Sequence, residues 1–191
     1  MSWKNAEDRW GPVSQLLHWL IVVLIVTMAV LGLTMVELPA GATKVRVYAL
    51  HKSLGLTVLA LATLRLGWRL FAGAPRPLAG MPPLQRRAAQ VTHAALYVLL
   101  FALPLSGWVI NSSAGFPLQW FGLIDLPALT ATDEALHERA EAFHENAFWL
   151  LIVLAVAHAG AAFYHHLFLQ DDTLRRMLPG RRSAGSTSDA P

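Results

Sequence analysis

The chain has 191 residues, with 15 Lys and Arg against 12 Asp and Glu, a net charge of +3 and no cysteine. Apolar residues make up 55% and charged ones 14%, against about 45–50% and 25% in soluble domains, which excludes an ordinary soluble fold. The missing cysteine excludes disulfides, thiolate metal sites and a thiolate-held iron–sulfur cluster, and so small a charge gives nucleic acid nothing to bind.

The N-terminal stretch to Gln15 carries mixed charge and no small-residue cleavage site, so the first apolar run reads as a retained helix and not as a removed signal. Gly11-Pro12 starts that helix, over about 13–36, and Leu38-Pro39-Ala40-Gly41 is a tight turn after it. Apolar runs over about 47–71, 91–110 and 144–168 predict three more helices. Each has the roughly twenty residues that cross a bilayer with every backbone group satisfied internally. Between the second and third lies a Pro- and Gly-rich loop, Gly73 to Pro83, and Pro104 falls inside the third, where a kink is tolerable in a bundle. The polar, small-residue tail 180–191 is expected to be disordered. The prediction is an all-α, integral-membrane four-helix bundle formed by residues 1–179.

Orientation follows from Arg and Lys in short flanks. Arg65, Arg69, Arg76, Arg86 and Arg87 surround the second connection with no acid, and Arg175, Arg176, Arg181 and Arg182 follow the fourth helix. Both sets belong on the cytoplasmic side. The third connection, with Asp125, Asp133, Glu134, Glu138 and Glu141 against Arg139, faces outward. Both termini are then cytoplasmic.

On this map the histidines fall at two depths. His51 and His144 lie at the outer level, and His18, His93 and His158 at the inner one. His144 and His158 share the fourth helix, separated by fourteen residues, which is about 21 Å of rise within roughly 40° of one face. The same step joins His18 to Gly32, His51 to Arg65 and His93 to Gly107, so each helix presents one residue per level from a single face. Ionisable groups at such depth are costly and mark function.

Histidines facing one another across a bundle suit haem, whose iron takes axial side chains from opposite helices. Two neutral imidazoles fill both axial positions, which favours electron transfer over oxygen chemistry. His51 with His144 then holds an outer haem b, and His18 with His158 an inner one. Arg65 is placed for the inner propionates, and Lys52 or Arg46 for the outer. Zinc fits worse, because three or four ligands would have to converge at one depth. A histidine-based transporter would want broken helices and intramembrane acids, which are absent from the sequence.

His18-Trp19, His51-Lys52-Ser53-Leu54-Gly55, Leu64 to Leu70, His93-Ala94-Ala95-Leu96-Tyr97, Leu103-Pro104-Leu105-Ser106-Gly107-Trp108, His144-Glu145, His158, Tyr164-His165-His166 and Asp172 to Met177 follow in an order and spacing that resembles the bacterial cytochrome b561 family. The likeness runs over about residues 10 to 180. It implies a multi-pass di-haem cytochrome of the bacterial inner membrane with the pairings just given, coupled to a quinone pool with ubiquinone as acceptor. In some members of that family superoxide is the outer electron donor. The alternative within the resemblance is a membrane-anchor subunit relaying electrons between a partner dehydrogenase or hydrogenase and quinone. Expected partners are therefore lipid, quinone, and superoxide or a redox protein, with a homodimer also allowed.

At the inner end a quinone needs a protonatable group, and His165, seven residues (about 10 Å) beyond His158, is the first candidate, with His93 and His166 as alternatives. At the outer end Lys44, Arg46 and Lys52 form a basic cluster able to steer a small anion, opposed by the acidic third connection. The apolar run Phe116–Gly122 is expected in the interface or capping the outer haem.

Overall fold

The structure, a computed structural model, describes residues 3–78 and 80–179; the tail 180–191, with Arg181 and Arg182, lies outside the described residues. Four helices, α1 (Pro12–Glu37), α2 (Ala42–Ala72), α3 (Pro83–Ser113) and α4 (Glu134–Leu167), account for most of them. A hairpin of β1 (Leu118–Trp120) and β2 (Ile124–Leu126) joins α3 to α4. All four helices are long and apolar enough to cross a membrane. Only 6% of the apolar stretch of α1 and 22% of that of α2 is buried inside the bundle. Much of the rest is outward apolar surface, such as Val23, Val26, Val30 and Leu33 on α1, which suits lipid and not water.

The helices outrun the apolar runs that announce them. α2 begins five residues before Val47, α3 eight before Val91, and α4 ten before His144. Hydropathy marks only the part in hydrocarbon, whereas the helix continues until its end groups are met. Pro83 occupies the first turn of α3, where its missing N–H costs nothing. Asp133 caps α4, its carboxylate accepting from Leu136 N at 2.9 Å. α3 runs through Pro104 without a break.

The outer connection is more ordered than a loop. β1 and β2 pair antiparallel, Leu118 with Leu126 and Trp120 with Ile124. The turn places Phe121 and Gly122 at φ 52° and 68°, two successive left-handed residues as tight hairpins require. The hairpin docks on α2: Phe121 N donates to Ser53 Oγ at 3.0 Å, and Trp120 Nε1 to Thr57 Oγ1 at 3.1 Å.

At the opposite end the chain's beginning and end are clasped together. Trp10 N donates to the Arg176 carbonyl at 3.3 Å, Trp19 Nε1 to Met177 O at 3.0 Å, and Gln15 Nε2 to Leu178 O at 3.2 Å. Arg76, in the α2–α3 connection, binds Glu7 at 2.8 Å and offers its carbonyl to Arg176. The start of α1, the end of α2 and the end of α4 therefore share one face, as an up-and-down bundle demands.

Halfway between the two histidine levels lies an apolar layer. Seven residues past His18, His51, His93 and His144 stand Ile25, Val58, Leu100 and Leu151. Val58, Leu100 and Leu151 are buried, and Ile25 packs against both clusters they belong to. Ala62 completes the layer with no exposed surface. Ala62→Leu adds three carbons where none fit, and should cost about 1–3 kcal/mol, read as a lower Tm in detergent; an unchanged Tm would show slack in this layer.

Candidate functional site

The fourteen-residue step brings the histidines together in two pairs. His51 of α2 and His144 of α4 have ring centres 6.4 Å apart, and His18 of α1 and His158 of α4 also 6.4 Å. An imidazole nitrogen bonds a first-row metal at about 2 Å, so two rings opposed on one iron have centres about 6.3 Å apart. Both pairs meet that spacing. His93 does not: its ring lies 5.1 Å from that of His158, too close to share an iron with it. It is a packing neighbour of an inner ligand candidate. Among the described residues no group of three or more acidic or histidine side chains converges as a metal cage, which leaves a zinc site without its donor set.

Around the outer pair opens a cleft whose empty space, counted out to its open mouth, is about 780 Å³. All four helices line it, through residues such as Met28, Gly55, Leu103 and Phe148, and Leu118 of the hairpin closes one side. The run Phe116–Gly122 thus contributes a cap over the outer level. The walls are mostly apolar, and the two imidazoles are the facing pair of metal-binding groups, with Met28 and Lys52 also on the lining.

Glycines position the outer rings. A Cβ on Gly32 of α1 would lie 3.4 Å from His51 Cε1, and one on Gly107 of α3 3.5 Å from His144 Cε1. The bare backbone of each helix therefore backs a ring of another helix. The atoms these glycines make room for belong to the histidines. His144 Nδ1 is tied to Ser106 Oγ at 2.9 Å, which leaves Nε2 for a metal, the usual support of a ligand histidine. His51 Nδ1 is enclosed without a partner. That costs about 1–3 kcal/mol, which a metal bond at the other ring nitrogen would offset.

The cations fall unequally. Lys52 lines the cleft and donates from Nζ to Asn111 Oδ1 at 2.9 Å. It also borders a second cavity between α2 and the hairpin, with Ser53, Gln119 and Phe121. Arg46, six residues earlier, is exposed and outside the cleft, since six residues rotate it about 120° around α2. Lys44 Nζ is engaged by the Val36 carbonyl at 3.2 Å. At the inner level Arg65 donates to Ser14 O at 3.1 Å and lies beside Tyr97 and the inner histidines.

Of the other inner candidates, His166 has an enclosed, unpartnered Nδ1, whereas His165 is held. Its Nδ1 lies 2.5 Å from Asp171 Oδ2. Burial opposes ionisation of Asp171, but hydrogen bonds from His165 and Thr173 outweigh it and hold the carboxyl below its ordinary range. In the sequence Ser106 stands only within the motif at 103–108, with no role of its own, and Asn111 and Asp171 are not singled out. A polar residue interrupting an apolar run is the signal for the first two, and an acid just past a histidine-ended helix for the third.

The family described as prokaryotic cytochrome b561 matches residues 9–180. Cytochrome b561 homolog 2 of Escherichia coli is 38% identical over 179 residues, covering 93% of this chain and 95% of that protein. Cytochrome b561 homolog 1 of the same organism is 28% identical over 176 residues, 92% and 99% of the two chains. The probable superoxide oxidase CybB of Yersinia pestis is 30% identical over 172 residues, 87% and 93%.

Proposed function

The chain belongs to the prokaryotic cytochrome b561 family, and on that footing we propose that it is a di-haem superoxide:ubiquinone oxidoreductase. A b-type haem, membrane electron transport and a multi-pass place in the bacterial inner membrane come with the family. The number of haems, the quinone and the donor are our reading. What supports it is the equal 6.4 Å separation of two histidine pairs at the two depths. When bound at each pair, haem b supplies a reversible one-electron carrier.

The residues then divide the work. His51 and His144 would hold the outer haem, and His18 and His158 the inner one, with both termini on the cytoplasmic side. With two imidazoles for each haem, these residues would favour electron transfer over oxygen chemistry. Lys52 and Arg65 neutralise propionates at the two levels, Arg65 held in place by Ser14 O. Lys52, with Lys44 and Arg46 beyond it, forms a local positive patch beside the outer cleft, opposed by the acidic third connection; it attracts a small anion and weakens with salt. At the inner end His165 carries protons to quinone. The balance is two superoxide ions, one ubiquinone and two protons giving two dioxygen and one ubiquinol. The superoxide donor is in keeping with the printed name of the relative in Yersinia pestis.

Stopped-flow mixing of the oxidised protein with superoxide tests this reading. Haem reduction should be fast and salt-sensitive, and Lys52→Gln should slow it several-fold at low salt while leaving the rate at high salt nearly alone. Reduction that appears only when a dehydrogenase or hydrogenase is added would assign the chain to the membrane-anchor role instead. Absence of a b-type spectrum in the purified protein would end both.

A further inference from the structure

The segment after α4 does more than end the chain. At the last turn of α4, Asp171 N donates to the His165 carbonyl at 3.2 Å, and the reversal is made by Gln170 in the left-handed region at φ 53°. A non-glycine residue in that region is held there by its surroundings. What it achieves is to bring Asp171 back onto the helix. One carboxylate oxygen meets His165 Nδ1 at 2.5 Å, and the other accepts from Thr173 N at 2.8 Å. Thr173 Oγ1 stands 3.5 Å from the same ring nitrogen. The chain then crosses to α1, where Trp19 Nε1 holds Met177 O at 3.0 Å and the Trp19 ring lies 5.2 Å from that of His18. The dyad therefore belongs to the inner end of the bundle, one clasp away from an inner ligand candidate.

We infer that Asp171, locked by Thr173, is a positioning residue that fixes His165 with Nδ1–H toward the carboxylate and Nε2 free to hand protons to quinone. The inference rests on the reading of His165 as the quinone-side proton carrier. A histidine free to rotate offers either nitrogen; one with Nδ1 engaged offers only Nε2. A carboxylate behind it also stabilises the imidazolium that forms each time the ring is reloaded. For each ubiquinone, two electrons arrive singly from the inner level and two protons pass from His165 Nε2–H to the quinone oxygens. Water at the membrane surface replaces each proton on the ring. Asp171 stays ionised throughout, and no bond to it is made or broken.

The test uses the whole haem-loaded protein in detergent, reduced with dithionite and mixed with a short-chain ubiquinone. Asp171→Asn keeps an acceptor for Thr173 N and removes the charge behind the ring. It should slow haem reoxidation at saturating quinone by about 100-fold, leave the half-saturating quinone concentration unchanged and introduce a solvent deuterium isotope effect. Asp171→Glu, which keeps the charge, should recover most of the rate. Thr173→Ala, which leaves the backbone contact intact, gives a milder loss in the same parameter and serves where Asp171→Asn does not hold its haems. Wild-type reoxidation by Asp171→Asn together with a slow His165→Phe overturns the role of Asp171 and leaves the quinone-end reading standing. A fast His165→Phe overturns that reading and the inference with it. A rise in half-saturation with unchanged maximal rate overturns the inference in favour of a merely structural turn.

Discussion

Replacing His144 by alanine should remove one haem from the protein and leave the other in place. Its ring is the α4 half of the outer pair, seated on Gly107 and tied to Ser106. The inner pair takes its α4 member from His158, about 21 Å along the helix. A pyridine haemochrome assay should therefore fall from two haems per chain to one, with a low-spin b-type spectrum persisting. Electron uptake from an outer donor should drop by more than the roughly 10–100-fold that changes around a metal ligand commonly cost, because the ligand itself is gone. His51→Ala should behave alike, and His158→Ala should spare the outer haem. Simultaneous loss of both haems from His144→Ala would mean that the two levels do not load independently.

Gly107 supplies a graded version of the same experiment. A Cβ there would sit 3.5 Å from His144 Cε1 and 3.9 Å from Nδ1, which is ordinary contact, so Gly107→Ala should keep both haems. Gly107→Leu pushes branched carbons into the space of the ring. The ring is tied to Ser106 and borders the cleft, so overpacking of about 1–3 kcal/mol falls on the ring itself. The expected result is selective loss of the outer haem with the inner one retained. Gly32→Leu should do the same through His51, whose Cε1 lies 3.4 Å from the corresponding Cβ position. Full haem content with an unshifted Soret band in both leucine variants would show that the rings are not pinned by the glycines.

Much of this was legible because a membrane bundle writes its architecture in two simple signals. Apolar runs of about twenty residues gave the helices, and the fourteen-residue step gave the facing levels that His18, His51, His144 and His158 occupy. The signals fail where hydrocarbon ends. The first turns of α3, with Arg86 and Arg87, and of α4, with Glu134 and Glu138, are helical outside the apolar runs. The hairpin is too short for alternation to announce it. Rotation separates Lys52 from Arg46, which charge counting alone treats as equals. Depth groups His93 with the inner ligands, and only a distance of 5.1 Å sets it apart. The Asp171–His165 contact depends on a left-handed Gln170, a conformation no residue preference foretells.

The layer formed by Ile25, Val58, Ala62, Leu100 and Leu151 also bears on energy conversion. Moving one charge across the membrane is worth about 2.3 kcal/mol per 100 mV, so a bundle that passes electrons must not let protons drift back along the same route. None of these five side chains can bind a proton or anchor a chain of waters. Electrons tunnel through such a layer, whereas hydrated ions meet the full cost of hydrocarbon. One bundle thereby conducts one carrier and insulates against the other, so protons taken up at either end must come from that end's own side.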